Sequence, residues 1–120
     1  MTSGKPLNSD PDCIFCKIVA QKIPSQKVAE DERLIAIRDV TPQAPTHILV
    51  IPRNHIPNLA SVDDASLSGA LFKKATELAE ELGLQQGYRI VVNTGNDGGQ
   101  TVHHLHIHLL GGRALGWPPG

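Results

Sequence analysis

Neither sign of charge dominates this chain: the formal net charge of its 120 residues is −1. It therefore carries no electrostatic footprint for nucleic acid or for an anionic membrane surface. Long apolar runs are also missing, and nothing approaches the roughly 20 residues that cross a bilayer. The opening twelve residues hold Pro, Ser and Asp but lack the charged-then-apolar order of a secretory signal, so the expected compartment is cytoplasmic. Cysteine is scarce, and the two present, Cys13 and Cys16, are spaced as a metal or redox pair and not as a secreted disulfide framework. There is no internal repeat and no low-complexity segment. At 40% hydrophobic and 19% charged residues the composition is that of an ordinary globular protein, and the length fits one domain. A core this small gains from a dimer interface or a bound metal.

Residues 1–11, polar and broken by Gly4, Pro6 and Pro11, read as a flexible segment ahead of a domain spanning 12–120. Residues 13–21 form a short-helix candidate that ends before Pro24, with Ile14, Phe15 and Ile18 on one face. Residues 27–30 and 34–38 read as strands around a turn at Asp31-Glu32. Two prolines make 41–45 a loop. Residues 47–51 are almost continuously apolar and stop at Pro52, as in a buried central strand. Residues 61–82 carry Leu67, Leu71, Ala75, Leu78 and Leu82 on one helical stripe, with Ser61 as cap, Asp64 as its capping-box partner and Gly83 as the closing residue. Strands at 88–93 and 104–110 flank a polar, Gly-rich loop at 94–101. The expected fold is α+β: a five-stranded, mostly antiparallel sheet with one long and one short helix.

Four of the six histidines fall within 103–108. Alternate residues of a strand share a face, so His104, His106 and His108 line one side and Leu105, Ile107 and Leu109 the other. An ideal strand would set neighbouring imidazoles about 6.5–7 Å apart. They are then too far apart to hydrogen-bond one another, so each ring needs another anchor. Three chemistries stay open: a solvated or adventitiously metal-binding face, a three-histidine catalytic zinc site, and nucleophilic attack on phosphorus by neutral imidazole. Against the zinc site, alternate residues on a straight strand spread too far to surround one ion. For the third, the N–P adduct of imidazole is readily hydrolysed. A single nucleotide needs no basic surface, because backbone donors can hold one phosphate.

The run His104-Leu105-His106-Ile107-His108-Leu109-Leu110 resembles the His-φ-His-φ-His-φ-φ signature of the histidine triad family, φ being apolar. Residues 39–47 (DVTPQAPTH), 98–102 (GGQTV) and 112–120 (GRALGWPPG) resemble its Hint branch, and the similarity runs from about Cys13 to the last residue. The resemblance implies a purine nucleoside phosphoramidase, cleaving the P–N bond of adenosine or guanosine phosphoramidates and also acting on aminoacyl adenylates. His106 would be the nucleophile, forming a nucleotidyl-histidine that water hydrolyses to AMP or GMP. His108 would contact the phosphate and help manage the leaving-group proton, and His47 would complete the proton-handling set. His104 would orient His106 through its backbone carbonyl.

The same resemblance implies that Asp39, beside Val40, accepts the ribose hydroxyls, and that Asn93, Gly99, Gln100 and Thr101 supply donors to the phosphate. Ile14, Phe15 and Ile18 would sandwich the purine, plain core packing being the alternative. Family members are homodimers whose sheets join into ten strands, with Trp117 reaching towards the partner's site; for Trp117 simple burial is the alternative. His103 departs from a position often apolar, and alternation turns it away from the triad. Thr101 stands where serine is common and keeps the hydroxyl. No catalytic cofactor is implied. Some bacterial members use the Cys-x-x-Cys pair with two histidines to bind structural zinc, and the matching residues are Cys13, Cys16, His55 and His104. An unmetallated thiol pair is the alternative. Two other functions stay open: a nucleotide-binding regulatory module with residual catalysis, and an enzyme of dinucleoside polyphosphates, against which the Trp117-Pro118-Pro119-Gly120 ending speaks.

Overall fold

A computed structural model describes residues 8–120. Its strands are β1 (Lys27–Glu30), β2 (Leu34–Arg38), β3 (Thr46–Pro52), β4 (Tyr88–Val91) and β5 (Ile107–Gly111). They form one sheet in the order β1-β2-β3-β5-β4, and every neighbouring pair is antiparallel. The apolar run before Pro52 becomes the central strand, β3, buried at every position but Thr46. Two helices cover the two faces. Helix α2 (Ala65–Glu81) lies on one, where Leu67, Leu71, Ala75 and Leu78 pack against Leu34, Ala36, Ile48, Val50, Leu105, Ile107 and Leu109. Helix α1 (Ile14–Val19) lies on the other, where Phe15 and Ile18 meet Ile35, Ile37, Leu49 and Ile51. Each fully buried Leu, Ile or Phe of these clusters contributes about 1.5–3 kcal/mol of burial.

Several element boundaries differ from the sequence reading, each for a local reason. Asp64, not Ser61, caps α2, its Oδ1 accepting from the Ser66 N–H at 2.9 Å. Ser61 instead closes a short 3-10 turn, Leu59–Ser61, capped by Asn58. At the other end Gly83, at φ +75°, does close the helix: its N–H reaches Glu80 O and that of Leu84 reaches Ala79 O. Helix α1 is shorter than 13–21 because Cys13 is its cap, the thiol accepting from the Cys16 N–H. Strand β4 stops at Val91, short of Asn93.

The histidine run also departs from a regular strand. The Leu105 N–H bonds Ile56 O at 2.7 Å, drawing 104–106 out of the ladder, so β5 begins only at Ile107. The loose segment expected through residue 11 is tied down from Asn8 onwards: Asn8 bonds Asn54 and His55, and the Asp10 N–H reaches Cys16 Sγ. The rest of that segment, residues 1–7, lies outside the described residues. Among the described residues no helix is long and apolar enough to cross a membrane.

Candidate active site and metal centre

The sheet face that carries α1 also carries the histidines, because His47, Leu49 and Ile51 alternate with the helix-facing Ile48 and Val50 along β3. His106 is almost fully buried, with the Phe15 ring edge-on at 5.0 Å. Its Nδ1 lies 2.7 Å from the carbonyl oxygen of His104. A carbonyl only accepts, so Nδ1 carries the proton and Nε2 is left with a free lone pair. The expected backbone anchor from His104 is therefore present. The His106 and His108 ring centroids are 5.0 Å apart, closer than an ideal strand predicts, because 104–106 is not regular strand.

His108 is set by a chain of bonds that begins on the backbone. The Gln43 N–H donates to His47 Nδ1 at 3.0 Å. His47 must then hold its proton on Nε2, which lies 2.9 Å from His108 Nδ1. His108 Nδ1 thus accepts, and its proton sits on Nε2, on the side of the ring away from His47. Burial holds His108 down to about 4, helped by the neighbouring His106 and His47 and opposed by Asp39. Burial lowers His47 as well, again against Asp39. At neutral pH both rings are neutral. Asp39 Oδ2 stands 3.4 Å from His47 Nε2, while Oδ1 accepts the Thr41 N–H at 2.8 Å and shapes the loop.

Two groups of side chains among the described residues bring metal-ligand atoms together: Asp39, His47 and His108, and Cys13, Cys16, His55 and His104. Proton bookkeeping separates them. A metal on His47 Nε2 would force the proton onto Nδ1, where the Gln43 N–H already points, so the first group is arranged as a hydrogen-bonded chain and not as a metal site. In the second, His104 Nε2 donates to Pro52 O at 2.8 Å, leaving the Nδ1 lone pair free. Three groups crowd that one lone pair: His55 Nδ1 at 3.2 Å, Cys13 Sγ at 3.3 Å and Cys16 Sγ at 3.5 Å. A tetrahedral ion with bonds of about 2.3 Å to sulfur and about 2.05 Å to nitrogen spaces its ligands about 3.4 Å (N to N) and about 3.6 Å (N to S) apart. The residues fit such an ion. Burial lowers His104 to about 4, which keeps it neutral as a ligand must be, and burial chiefly pushes the Cys13 thiol up.

Other residues land less uniformly. Phe15 and Ile18 are core residues, whereas Ile14 is 46% exposed, so of the three only Ile14 presents a free apolar face. Gln100 departs from its expected role as a phosphate donor. Its Nε2 bonds Pro57 O and Val102 O, its Oε1 accepts the Gly95 N–H, and its own N–H goes to Gly95 O. It is the brace of the 94–101 loop. The Gly99 N–H is likewise used on Asn96 O, and Asn93 Nδ2 on Gly98 O. Thr101, Val40 and Trp117 are exposed, and so is His103, which stands apart from the triad. Sequence reasoning missed Gln43 and Pro52, which orient His47 and His104 through backbone atoms and so leave no side-chain signal.

Comparison with known proteins agrees with this fold. A family model described as "HIT domain" matches residues 20–115. A maize (Zea mays) protein named "14 kDa zinc-binding protein" is 47% identical, over 92% of this chain and 90% of its own. "Adenylylsulfatase HINT1" of Arabidopsis thaliana is 45% identical, over 93% of this chain and 79% of its own. A solved "HIT family hydrolase" from Legionella pneumophila superposes with a TM-score of 0.88 at 47% identity, covering 91% of this chain and all of that one.

Proposed function

The chain belongs to the HIT domain family, and from that premise we propose that it hydrolyses purine nucleoside phosphoramidates, and aminoacyl adenylates, through a nucleotidyl-histidine on His106. The observation that carries this reading is the fixed tautomer of His106: Nδ1 is committed to His104 O, so the lone pair of the neutral ring lies on Nε2, which is the attacking atom. Attack forms a bond from Nε2 to phosphorus and breaks the bond to the leaving amine. The incoming phosphate anion raises the proton affinity of neutral His108, which loads the His47–His108 pair with the proton the amine takes. Water then attacks the same phosphorus, its proton passing to the His47–His108 pair as the Nε2–P bond breaks, which releases the nucleoside monophosphate and restores His106. Asp39 binds the ribose hydroxyls, with Val40 and Ile14 beside the nucleoside. Asn93, Gly99, Gln100 and Thr101 form the phosphate loop, in which Gln100 acts as brace and Thr101 as the exposed hydroxyl donor. Adenylyl sulfate is proposed as a second substrate, cleaved by the same attack with sulfate leaving, a reading supported by the name of the Arabidopsis relative.

Cys13, Cys16, His55 and His104 would hold a zinc ion of structural kind. Its contribution is to cross-link α1, the loop after β3 and the approach to β5, a role supported by the ligand spacing and by the maize relative's name. A cytoplasmic setting, which keeps thiols reduced, suits this pair. A homodimer with a ten-stranded sheet would form across β4. Of the two edge strands, β1 is interrupted by an irregularity between Lys27 and Ala29, whereas the pairing of β4 runs without one, so β4 is the better template. Trp117, 83% exposed, is then available to the partner's site.

The test is intact-mass spectrometry of the protein quenched during turnover of adenosine phosphoramidate, which should reveal one adenylyl group on His106. His106→Ala should abolish turnover while still binding AMP. Near-normal turnover by that variant would refute the mechanism.

A further inference from the structure

The His47–His108 pair depends on Gln43 presenting its backbone N–H to His47, and Gln43 sits in an exposed loop between Pro42 and Pro45. The segment after β5 holds that loop in place. Gly112 lies at φ +91°, and a Cβ there would come within 2.9 Å of Pro45 Cβ, so a residue without a side chain lets the tail press on the loop. The next residue, Arg113, donates to the Gln43 carbonyl oxygen from both Nε, at 3.1 Å, and Nη2, at 2.9 Å. Its remaining arm, Nη1, bonds Ala114 O at 3.0 Å. One guanidinium thus grips Gln43 by its carbonyl while the N–H of the same residue sets His47. A forked contact fixes orientation as well as distance, which an ammonium cannot do.

We propose that Arg113 is a positioning residue for proton handling at His108, acting through Gln43, which sets the tautomer of His47 and so that of His108. Only the kinetic consequence rests on the function proposed above. Without the grip, the loop is free to turn the Gln43 N–H off His47. His47 can then carry its proton on Nδ1, its Nε2 becomes an acceptor facing His108, and His108 must move its own proton to Nδ1. The Nε2–H that faces the phosphate at rest is lost, and with it the arrangement in which the pair is loaded with the leaving-group proton.

The experiment is NMR of the ring nitrogens in ¹⁵N-histidine-labelled full-length protein at neutral pH. Arg89→Ala is the control, because Arg89 anchors the same tail through Gly116 O without touching Gln43. Wild type and Arg89→Ala should show His47 and His108 protonated on Nε2. Arg113→Ala should show an Nδ1-protonated population at both, and Arg113→Lys should restore the wild-type pattern in part. On adenosine phosphoramidate, Arg113→Ala should lose about tenfold in kcat with KM nearly unchanged, a share of the roughly 10²- to 10⁴-fold that a placed proton donor supplies. A wild-type nitrogen pattern in Arg113→Ala, or the same change in Arg89→Ala, overturns the proposal. If the wild type turns over no phosphoramidate, the function falls, and the nitrogen pattern still decides the role of Arg113.

Discussion

Stripping the metal from Cys13, Cys16, His55 and His104 should cost stability much more than turnover. The two cysteines lie 39 to 91 residues from the two histidines and meet them only in the fold, so an ion held by all four binds the native state alone. At free zinc about 100-fold above its dissociation constant, that linkage is worth about 2.7 kcal/mol. With an unfolding entropy of about 2.1 cal/mol/K per residue, or roughly 250 cal/mol/K for the whole chain, the melting temperature should fall by about 11 °C. The assay is calorimetry on protein as purified, after dialysis against chelator, and after zinc is returned, with elemental analysis giving one zinc per chain. Cys16→Ser should melt as the chelated protein does and should not respond to zinc. Cobalt in place of zinc should show the charge-transfer band of thiolate ligation. Because His106 Nε2 is not among the ligands, a chelated but folded sample should keep most of its turnover. Protein purified without chelator that holds no metal, and whose melting ignores both chelator and zinc, would refute the site. Loss of all turnover in a folded, chelated sample would refute its structural role.

Three further outcomes follow from the same geometry. Asp39→Ala should weaken binding of a nucleoside monophosphate by about 1–3 kcal/mol, the scale of charge-assisted hydrogen bonds; an equal loss with a ligand lacking both ribose hydroxyls would show that its bond to Thr41 is what matters. The contribution of His108 to stability should be lost as pH drops through the window from 6.5 to about 4, because the unfolded chain takes up a proton that folded His108 refuses, and that contribution should be gone below it. Denaturant midpoints across this range should flatten in His108→Gln, and an unchanged slope would contradict the buried neutral pair. Sedimentation should give a dimer at micromolar concentration, and an added Pro in β4 should shift it towards monomer; an active wild-type monomer would rule out the shared sheet.

Much of the site was readable because its chemistry is local in the chain. The alternation of His104, His106 and His108 with apolar residues put three imidazoles on one side and a packing edge on the other, and the structure keeps that division. The heptad-like spacing of Leu67, Leu71, Ala75 and Leu78 specified the core face of α2, and Gly83 its end. These features follow from fixed periods, 3.6 for a helix and 2 for a strand, so pattern alone determines them. The Cys-x-x-Cys spacing likewise pointed to half of a four-residue cluster that could hold a metal.

Only the tertiary structure could decide the protons. Which nitrogen of His106, His104 or His108 is free depends on His104 O, Pro52 O and Gln43 N, and backbone groups are the same in every residue. The same holds for the limits of β5: Ile56 takes the Leu105 N–H from 49 residues away, and no local pattern records that competition. It also holds for Gln100, whose amide looked like a phosphate donor until Pro57 and Val102 claimed it. Residue types and their spacing determined which chemistry was available here. The tautomers and the spent donors were settled by partners distant in the chain, because a hydrogen bond depends on position in space and not on order in sequence.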